Sequence, residues 1–392
     1  MNKTVRIESI DLLRGIVMIV MALDHVRDYF HADAFLFDPT DLSKTNVALF
    51  FTRWVTHYCA PVFVFLAGTS AFLIGLRKSK SELSIFLIKR GLWLVFLELT
   101  IVNFAWFFNI EFSLITLFVI WALGIGMLLL AAFIHLPFKI ILVAGILMIV
   151  LHNTLDHIQV SGDGAGAILW SVVHQFQGFQ LSENFSLFVA YPLIPWVGVM
   201  LVGYCFGSFY QISYSPVQRK KILLYLGSGL VILFVFIRLF NLYGDPHPWV
   251  PQSSLVFTLL SFINVTKYPP SLLYLLITLG PAIIFLAISE SYRGSIAQRV
   301  KIFGRVPMFY YLLHLYLIHI LAILAAVLTG YEASDMVFNT WVTSSPNLVG
   351  YGFNLWVVHL IWIGVVIILY PLCEWYDRYK AAHRNKEWLS YL

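Results

Sequence analysis

Charge is what this chain has least of. Asp, Glu, Lys and Arg make up 11% of its 392 residues, against about 25% in a soluble domain. With 60% of the residues hydrophobic, a soluble globular enzyme is excluded and an integral membrane protein is expected. Cysteine is scarce too. Cys59, Cys205 and Cys373 show neither CxxC nor metal-ligand spacing, which excludes a disulfide framework and a thiolate metal centre. No His, Cys and carboxylate cluster has the spacing of a metal site, so no metal is expected. The formal charge of +5 does not call for nucleic acid; in a polytopic chain, basic residues first report topology. The glycines of SGDGAGAI (161–168) follow no expected strand, so they read as a flexible turn rather than a phosphate loop. The start, MNKTVRIESIDLLRG, leads into an apolar run with no small-residue cleavage site behind it. That run is expected to be a retained helix, not a signal peptide. Short-period repeats and low-complexity segments are also missing.

What the chain does have is apolar runs of the length that spans a bilayer, about 20 residues each. They fall at 10–31, 47–76, 84–108, 111–134, 138–156, 187–210, 222–243, 270–290, 304–329 and 353–373. The expected fold is therefore all-α: a polytopic bundle of about ten transmembrane helices in one domain over 1–392, with a short basic tail at 374–392. Basic residues gather in RKSKSE (77–82), at Lys89 and Arg90, in QRKK (218–221), in RGSIAQRVKIFGR (293–305) and in the tail. Alternate loops then face the cytoplasm, with both termini inside. Of the 25 Lys and Arg, only Arg27, Lys44, Arg53, Arg238 and Lys267 fall outside that side. The expected location is the cell (inner) membrane, multi-pass, with the lipid bilayer as partner. The oligomeric state stays open, a homodimer included.

Several spans carry an ionisable residue at one depth. At ~1.5 Å rise per residue, His25, Glu98, His152 and Arg238 sit roughly 21–24 Å above the cytoplasmic ends of their helices. The second span, running the other way, brings Arg53 and His57 to a similar level. A charge inside a span costs at least ~2.5–3.5 kcal/mol, so it faces the bundle interior, a partner or water. Six such residues in one layer suggest a polar cavity opening outward, with Arg53, Arg238 and Glu98 able to form ion pairs and the histidines able to act as bases. Each residue alone also fits interhelical bonding. Asp24, Arg27 and Asp28 fit an ion network at the outer surface. His314 and His319 stand five apart and turn to different faces, which excludes a metal pair; one of them is a candidate to approach the cavity. At the outer helix ends, YPLIPW (191–196) and KYPPS (267–271) place Tyr191, Trp196, Lys267 and Tyr268, and YGDPHPW (243–249) adds Asp245 and Trp249. The prolines fit first helical turns. The aromatics mark a membrane interface or line the mouth of a site for a polar or sugar-like acceptor.

Arg14, ten residues, then His25, on the first helix of such a chain, resembles the R-x10-H signature of acyltransferase-3-type membrane acyltransferases. The chain as a whole is more similar to a related group of bacterial membrane proteins that resemble the catalytic domain of heparan-alpha-glucosaminide N-acetyltransferase. The matching features are DLLRG (11–15), APVFVFLAG (60–68), KRGLWL (89–94), YPLIPWVGVM (191–200), YGDP (243–246), KYPPSLL (267–273) and GRVPMFYYLLH (304–314). The resemblance implies transfer of an acetyl (acyl) group from cytosolic acetyl-CoA to an acceptor on the outer face, a small molecule or a glycan. Arg14 matches the donor-side motif position, with Lys89, Arg90 and Arg305 as further candidates for the CoA phosphates. His25 matches the position near the transferred group, while His25, His31 and His57 compete as the base. Glu98 and His152 are further catalytic candidates. Arg53 or Arg238 is a candidate to stabilise an oxyanion. Acceptor-side candidates are Arg27, Asp28, Arg53, Tyr191, Trp196, Arg238, Asp245, Lys267 and Tyr268. The alternative is a proton-coupled solute transporter or channel, which a layer of ionisable groups also suits; a flippase-like or structural envelope partner is a third reading.

Overall fold

The computed structural model describes residues 7–383 together with Lys386 and Leu389. The expected basic tail is helical through Ala382, and the rest of it, with Arg384, lies outside the described residues. In chain order the helices are α1 (Glu8–Phe30), α2 (Val47–Trp54), α3 (Cys59–Gly75), α4 (Lys80–Leu97), α5 (Asn103–Phe107), α6 (Val119–Phe133), α7 (Phe138–Leu151) and α8 (Ala165–Val173). They continue with α9 (Leu193–Phe206), α10 (Pro216–Phe240), α11 (Leu255–Ile263), α12 (Leu272–Ser289), α13 (Ser295–Arg305), α14 (Pro307–Leu328) and α15 (Leu355–Ala382).

Among the described residues, seven helices are long and apolar enough to cross a membrane: Val47–Gly75, Phe138–Leu155, Leu193–Tyr210, Pro216–Phe240, Leu272–Ser289, Pro307–Leu328 and Leu355–Ala382. The other three expected spans are also helical. However, α1 and α4 carry charges along their length, and α6 has only 15 residues. The chain is thus a multi-pass, mostly helical membrane protein.

The expectation of an all-helical chain needs one correction. Strands β1 (Leu114–Leu117), β2 (Gln177–Ser182) and β3 (Phe185–Val189) form a small sheet in the order β1-β3-β2. β3 runs parallel to β1 and antiparallel to β2. The first part of the span expected at 111–134 is therefore a strand, after a left-handed residue at Phe112 that breaks the helix. The segment expected to be a flexible turn at 157–186 instead contains α8 and the β2–β3 hairpin. β-Branched and aromatic residues in ITL and FSLFV suit the pleated surface.

At the centre lies α1, which packs against α3, α12, α13, α14 and α15. Glycine pairs set the closest crossings, as small residues do between membrane helices. A Cβ on Gly304 of α13 would stand 1.9 Å from the Asp11 carbonyl oxygen, and one on Gly15 would stand 2.1 Å from that of Val300. α4 and α6 meet in the same way at Gly91 and Gly124. Two helical interruptions point side chains inward. A 3-10 turn at Val55–Tyr58 joins α2 to α3 and carries His57, and a π-turn at Glu98–Val102 joins α4 to α5.

Candidate active site

Arg14 and His25 are eleven residues apart, three helical turns plus about 20°, so they share one face of α1. Met18 and Met21 lie on the same stripe. With Arg14 they line a cavity of about 280 Å³ between α1, α3, α4, α6 and α14. Most of its wall is apolar: Phe63, Leu94, Ile120, Leu123 and Met127 are typical. Cations cluster at the Arg14 end, where Arg14, Arg90, Arg305 and Lys380 line it. The close α1–α13 crossing fixes two of them. Arg14 donates to the Gly304 carbonyl (3.2 Å) and to Ser70 Oγ (2.9 Å), and Arg305 pairs with Asp377 at 2.9 Å. Lys89 is exposed and does not line the cavity.

Tyr311 lines the cavity too, and its ring centroid is 6.3 Å from that of His25. There His25 is buried, with Trp106 edge-on at 4.7 Å. Its Nδ1 lies 2.8 Å from Nε2 of His314, whose Nδ1 lies 2.8 Å from the Tyr310 carbonyl oxygen. One of the two α14 histidines thus reaches the site. The other, His319, faces the Ala105 and Met336 carbonyls.

One residue before His25, Asp24 gathers a cluster of cations. It accepts from Arg27 (2.5 Å), from Arg53 with both carboxylate oxygens (3.0 and 2.9 Å) and from Thr56 (2.8 Å), and Lys267 Nζ lies at 3.6 Å. Arg27 also donates to Asp28 (2.7 Å). The Tyr268 ring lies 5.1 Å from Lys267 Nζ and 5.9 Å from the Arg53 guanidinium carbon, within reach of a cation–π contact. Tyr191 packs between Tyr268 and the fully buried Trp196. His57 is buried against Tyr274, and its Nδ1 has no partner. The structure therefore brings Arg27, Asp28, Arg53, Lys267, Tyr268, Tyr191 and Trp196 to one end of α1, with His57 nearby.

Four expected residues do not converge there. Glu98 accepts from the Trp121 backbone N–H (2.8 Å), tying the π-turn to α6. His152 has its two ring nitrogens on the Ile149 and Pro270 carbonyls (2.9 and 2.7 Å). Arg238 donates to the carbonyls of His247, Ser261, Phe262 and Asn264. Asp245 accepts from Thr266, Ser271 and the His247 backbone. The ion pairs expected among Arg53, Arg238 and Glu98 do not form: Arg53 pairs with Asp24, and Arg238 stands 4.0 Å from Asp245. Beyond the α7 span, burial disfavours charge on Asp156, but hydrogen bonds from His174 and Asn153 outweigh it and hold the carboxyl below its usual range.

Sequence reasoning left out Asp24, Ser70, Trp106, Tyr311 and Lys380 as site residues. Asp24 had a local signal, its place in DHVRD beside His25. The others become neighbours only through packing. Among the described residues, no group of three His, Cys, Asp or Glu converges to hold a metal ion.

Fold and site define the class: a polytopic helical membrane protein whose central helix runs along a cation-rimmed apolar cavity to a buried histidine pair. Within that class, residues 6–237 match the family model described as heparan-alpha-glucosaminide N-acetyltransferase, catalytic. The match covers more than half of the chain, which belongs to this family of transmembrane acetyltransferases. Comparison with curated proteins finds no match. Arg14, His25, Arg53, His57 and Arg90 lie inside the matched stretch, whereas Lys267, Arg305, Tyr311 and His314 lie beyond it.

Proposed function

We propose that this chain, one membrane domain of ten spans with both termini cytoplasmic, moves an acetyl group from cytosolic acetyl-CoA to an acceptor on the outer face, a sugar or glycan. The observation that carries this reading is the cavity along α1. Its cationic end suits the CoA phosphates, since guanidinium groups bind phosphate oxygens bidentately. Its apolar wall suits the pantetheine arm and the acyl group. The basic loops at 77–82, 218–221 and 293–305 lie at the same helix ends as Arg14, which orients that end to the cytoplasm. The acceptor then approaches the opposite end, where Tyr191 and Tyr268 offer aromatic faces and Arg53 and Lys267 offer donors.

His25 acts as the base. It takes the proton of an acceptor hydroxyl or amine as the acceptor oxygen or nitrogen attacks the thioester carbonyl. The C–S bond breaks, and the CoA thiolate leaves and recovers a proton from His25. General-base help of this kind is worth about 10²–10⁴-fold. Should the acyl group pause on His25 itself, the imidazole is the nucleophile instead, and the acceptor attacks the acyl-histidine in a second step.

The test uses purified protein in nanodiscs with acetyl-CoA labelled in the acetyl group. Wild type is expected to release CoA or retain label on protein, and folded His25→Ala to do neither. Normal turnover by His25→Ala removes His25 from the mechanism. Absence of binding, release and labelling in folded wild type, together with solute flux in liposomes, replaces the transferase by a transporter.

A further inference from the structure

We infer that His314 is a positioning residue that fixes the tautomer of His25, leaving Nε2 of His25 as the nitrogen with the free lone pair. The chain of partners decides this. A backbone carbonyl can only accept, so His314 Nδ1, 2.8 Å from the Tyr310 oxygen, carries the proton. In the neutral ring His314 Nε2 is then the acceptor. His25 Nδ1, 2.8 Å from that Nε2, must be the donor, and the lone pair of His25 is left on Nε2. The reverse assignment turns a ring lone pair towards the Tyr310 oxygen. A doubly protonated His314 would satisfy both contacts only as a cation that is fully buried and has no carboxylate on it, which is costly. Among the described residues His25 Nε2 has no hydrogen-bond partner.

Three elements hold this arrangement. His314 bonds one helical turn back on its own α14, so its ring is set by local geometry. Tyr311 and Trp106 pack edge-on to the His25 ring. The charges that act on His25 are Asp24 on its own helix, which favours a proton on the ring, and Lys267 and Arg27, which oppose it. The logic is that of a triad in which a second group holds an imidazole in the productive tautomer, here with a histidine and a main-chain carbonyl in place of a carboxylate. When His25 takes the acceptor proton at Nε2, its Nδ1–H remains hydrogen-bonded to His314.

The inference rests on the transferase reading only for the use made of the lone pair; the tautomer can be measured without turnover. Protein carrying ¹⁵N-labelled histidine in nanodiscs is observed by NMR, with the His25 signals assigned by their loss in His25→Gln. The expected spectrum shows His25 protonated at Nδ1 and bare at Nε2. In His314→Phe that tautomer preference is expected to disappear. In His314→Gln, whose side-chain oxygen can accept from His25 Nδ1–H, it is expected to persist. Acetyl transfer is expected to fall ~10²-fold or more in kcat in His314→Phe, with the KM for acetyl-CoA unchanged and most of the rate retained in His314→Gln. A wild-type His25 protonated at Nε2, or a tautomer unmoved in His314→Phe, overturns the inference. If His314→Phe does not fold, the wild-type spectrum and His314→Gln still decide it. A wild type without acetyl transfer but with the Nδ1–H tautomer ends the transferase reading and leaves the positioning role standing.

Discussion

Asp24 sits where three cations converge, and its neighbour His25 faces the histidine of another helix. The adjacent residues divide the labour because consecutive positions on a helix point about 100° apart. Asp24 turns to Arg27, Arg53 and Lys267, whereas His25 turns to α14. The carboxylate is the shared counter-ion of buried positive charge. Removing one partner of a buried ion pair costs ~3–5 kcal/mol, because the other charge is left uncompensated. Asp24→Asn is therefore expected to destabilise the protein by about that amount, measured as thermal unfolding in nanodiscs. Asp28→Asn, which frees only one of Arg27's two carboxylate contacts, is expected to cost less. Equal effects would show that Arg53 and Lys267 do not depend on Asp24. At this scale the sequence was informative where the signal was local. Arg14 and His25 share a face by spacing alone. His314 lies 289 positions from His25, and no local pattern announces that pairing. Glu98, His152 and Arg238 show the opposite failure. Rise per residue gives height along a helix but not the direction a side chain points, so residues at one depth need not meet.

The α1–α13 crossing shows how an element builds a site. Gly15 in DLLRG and Gly304 in the following GRVP allow the two backbones to touch. That contact places the Gly304 carbonyl within reach of Arg14 and carries Arg305 to the same rim. Gly304→Ala puts a Cβ 1.9 Å from the Asp11 oxygen, so α13 must shift. Overpacking of this kind costs ~1–3 kcal/mol, and displaced rim cations are expected to raise the KM for acetyl-CoA more than they lower kcat. Gly229→Ala is the matched control. Its Cβ would meet nothing within 4 Å, and alanine gains ~1 kcal/mol in helix propensity over glycine. The two variants are compared by thermal unfolding and by the donor dependence of CoA release. A Gly304→Ala protein with unchanged stability and KM would separate the rim from the crossing. Element boundaries were legible in the sequence where hydrophobic runs ended in charge, as at Ser79, where a Ser–Glu capping box starts α4. The sheet was not legible, because four- to six-residue strands inside an apolar chain leave a period-2 signal too short to compete with the helical one.

For the whole molecule, transfer across a bilayer requires that the Arg14 rim and the Asp24 cluster open to opposite compartments. Ten apolar segments and the bias of basic loops carried that inference from sequence alone, since both follow from the energetics of the bilayer rather than from packing. The chain also suits a direct test. Its three native cysteines are buried, so an introduced thiol is read against a low background. Lys78, in the basic loop between α3 and α4, and Ser334, in the loop between α14 and α15, are both exposed. In intact cells a membrane-impermeant maleimide is expected to label Ser334→Cys and to leave Lys78→Cys unlabelled until the membrane is permeabilised. Labelling of both from outside would place the cation rim and the cluster around Asp24 in the same compartment. Donor and acceptor would then meet without crossing anything, and the cavity along α1 would be a pocket for one soluble substrate rather than half of a transmembrane path. The expected pattern instead fixes the order of events along α1: phosphates at Arg14, acyl group near Tyr311, proton transfer at His25, acceptor beyond Asp24.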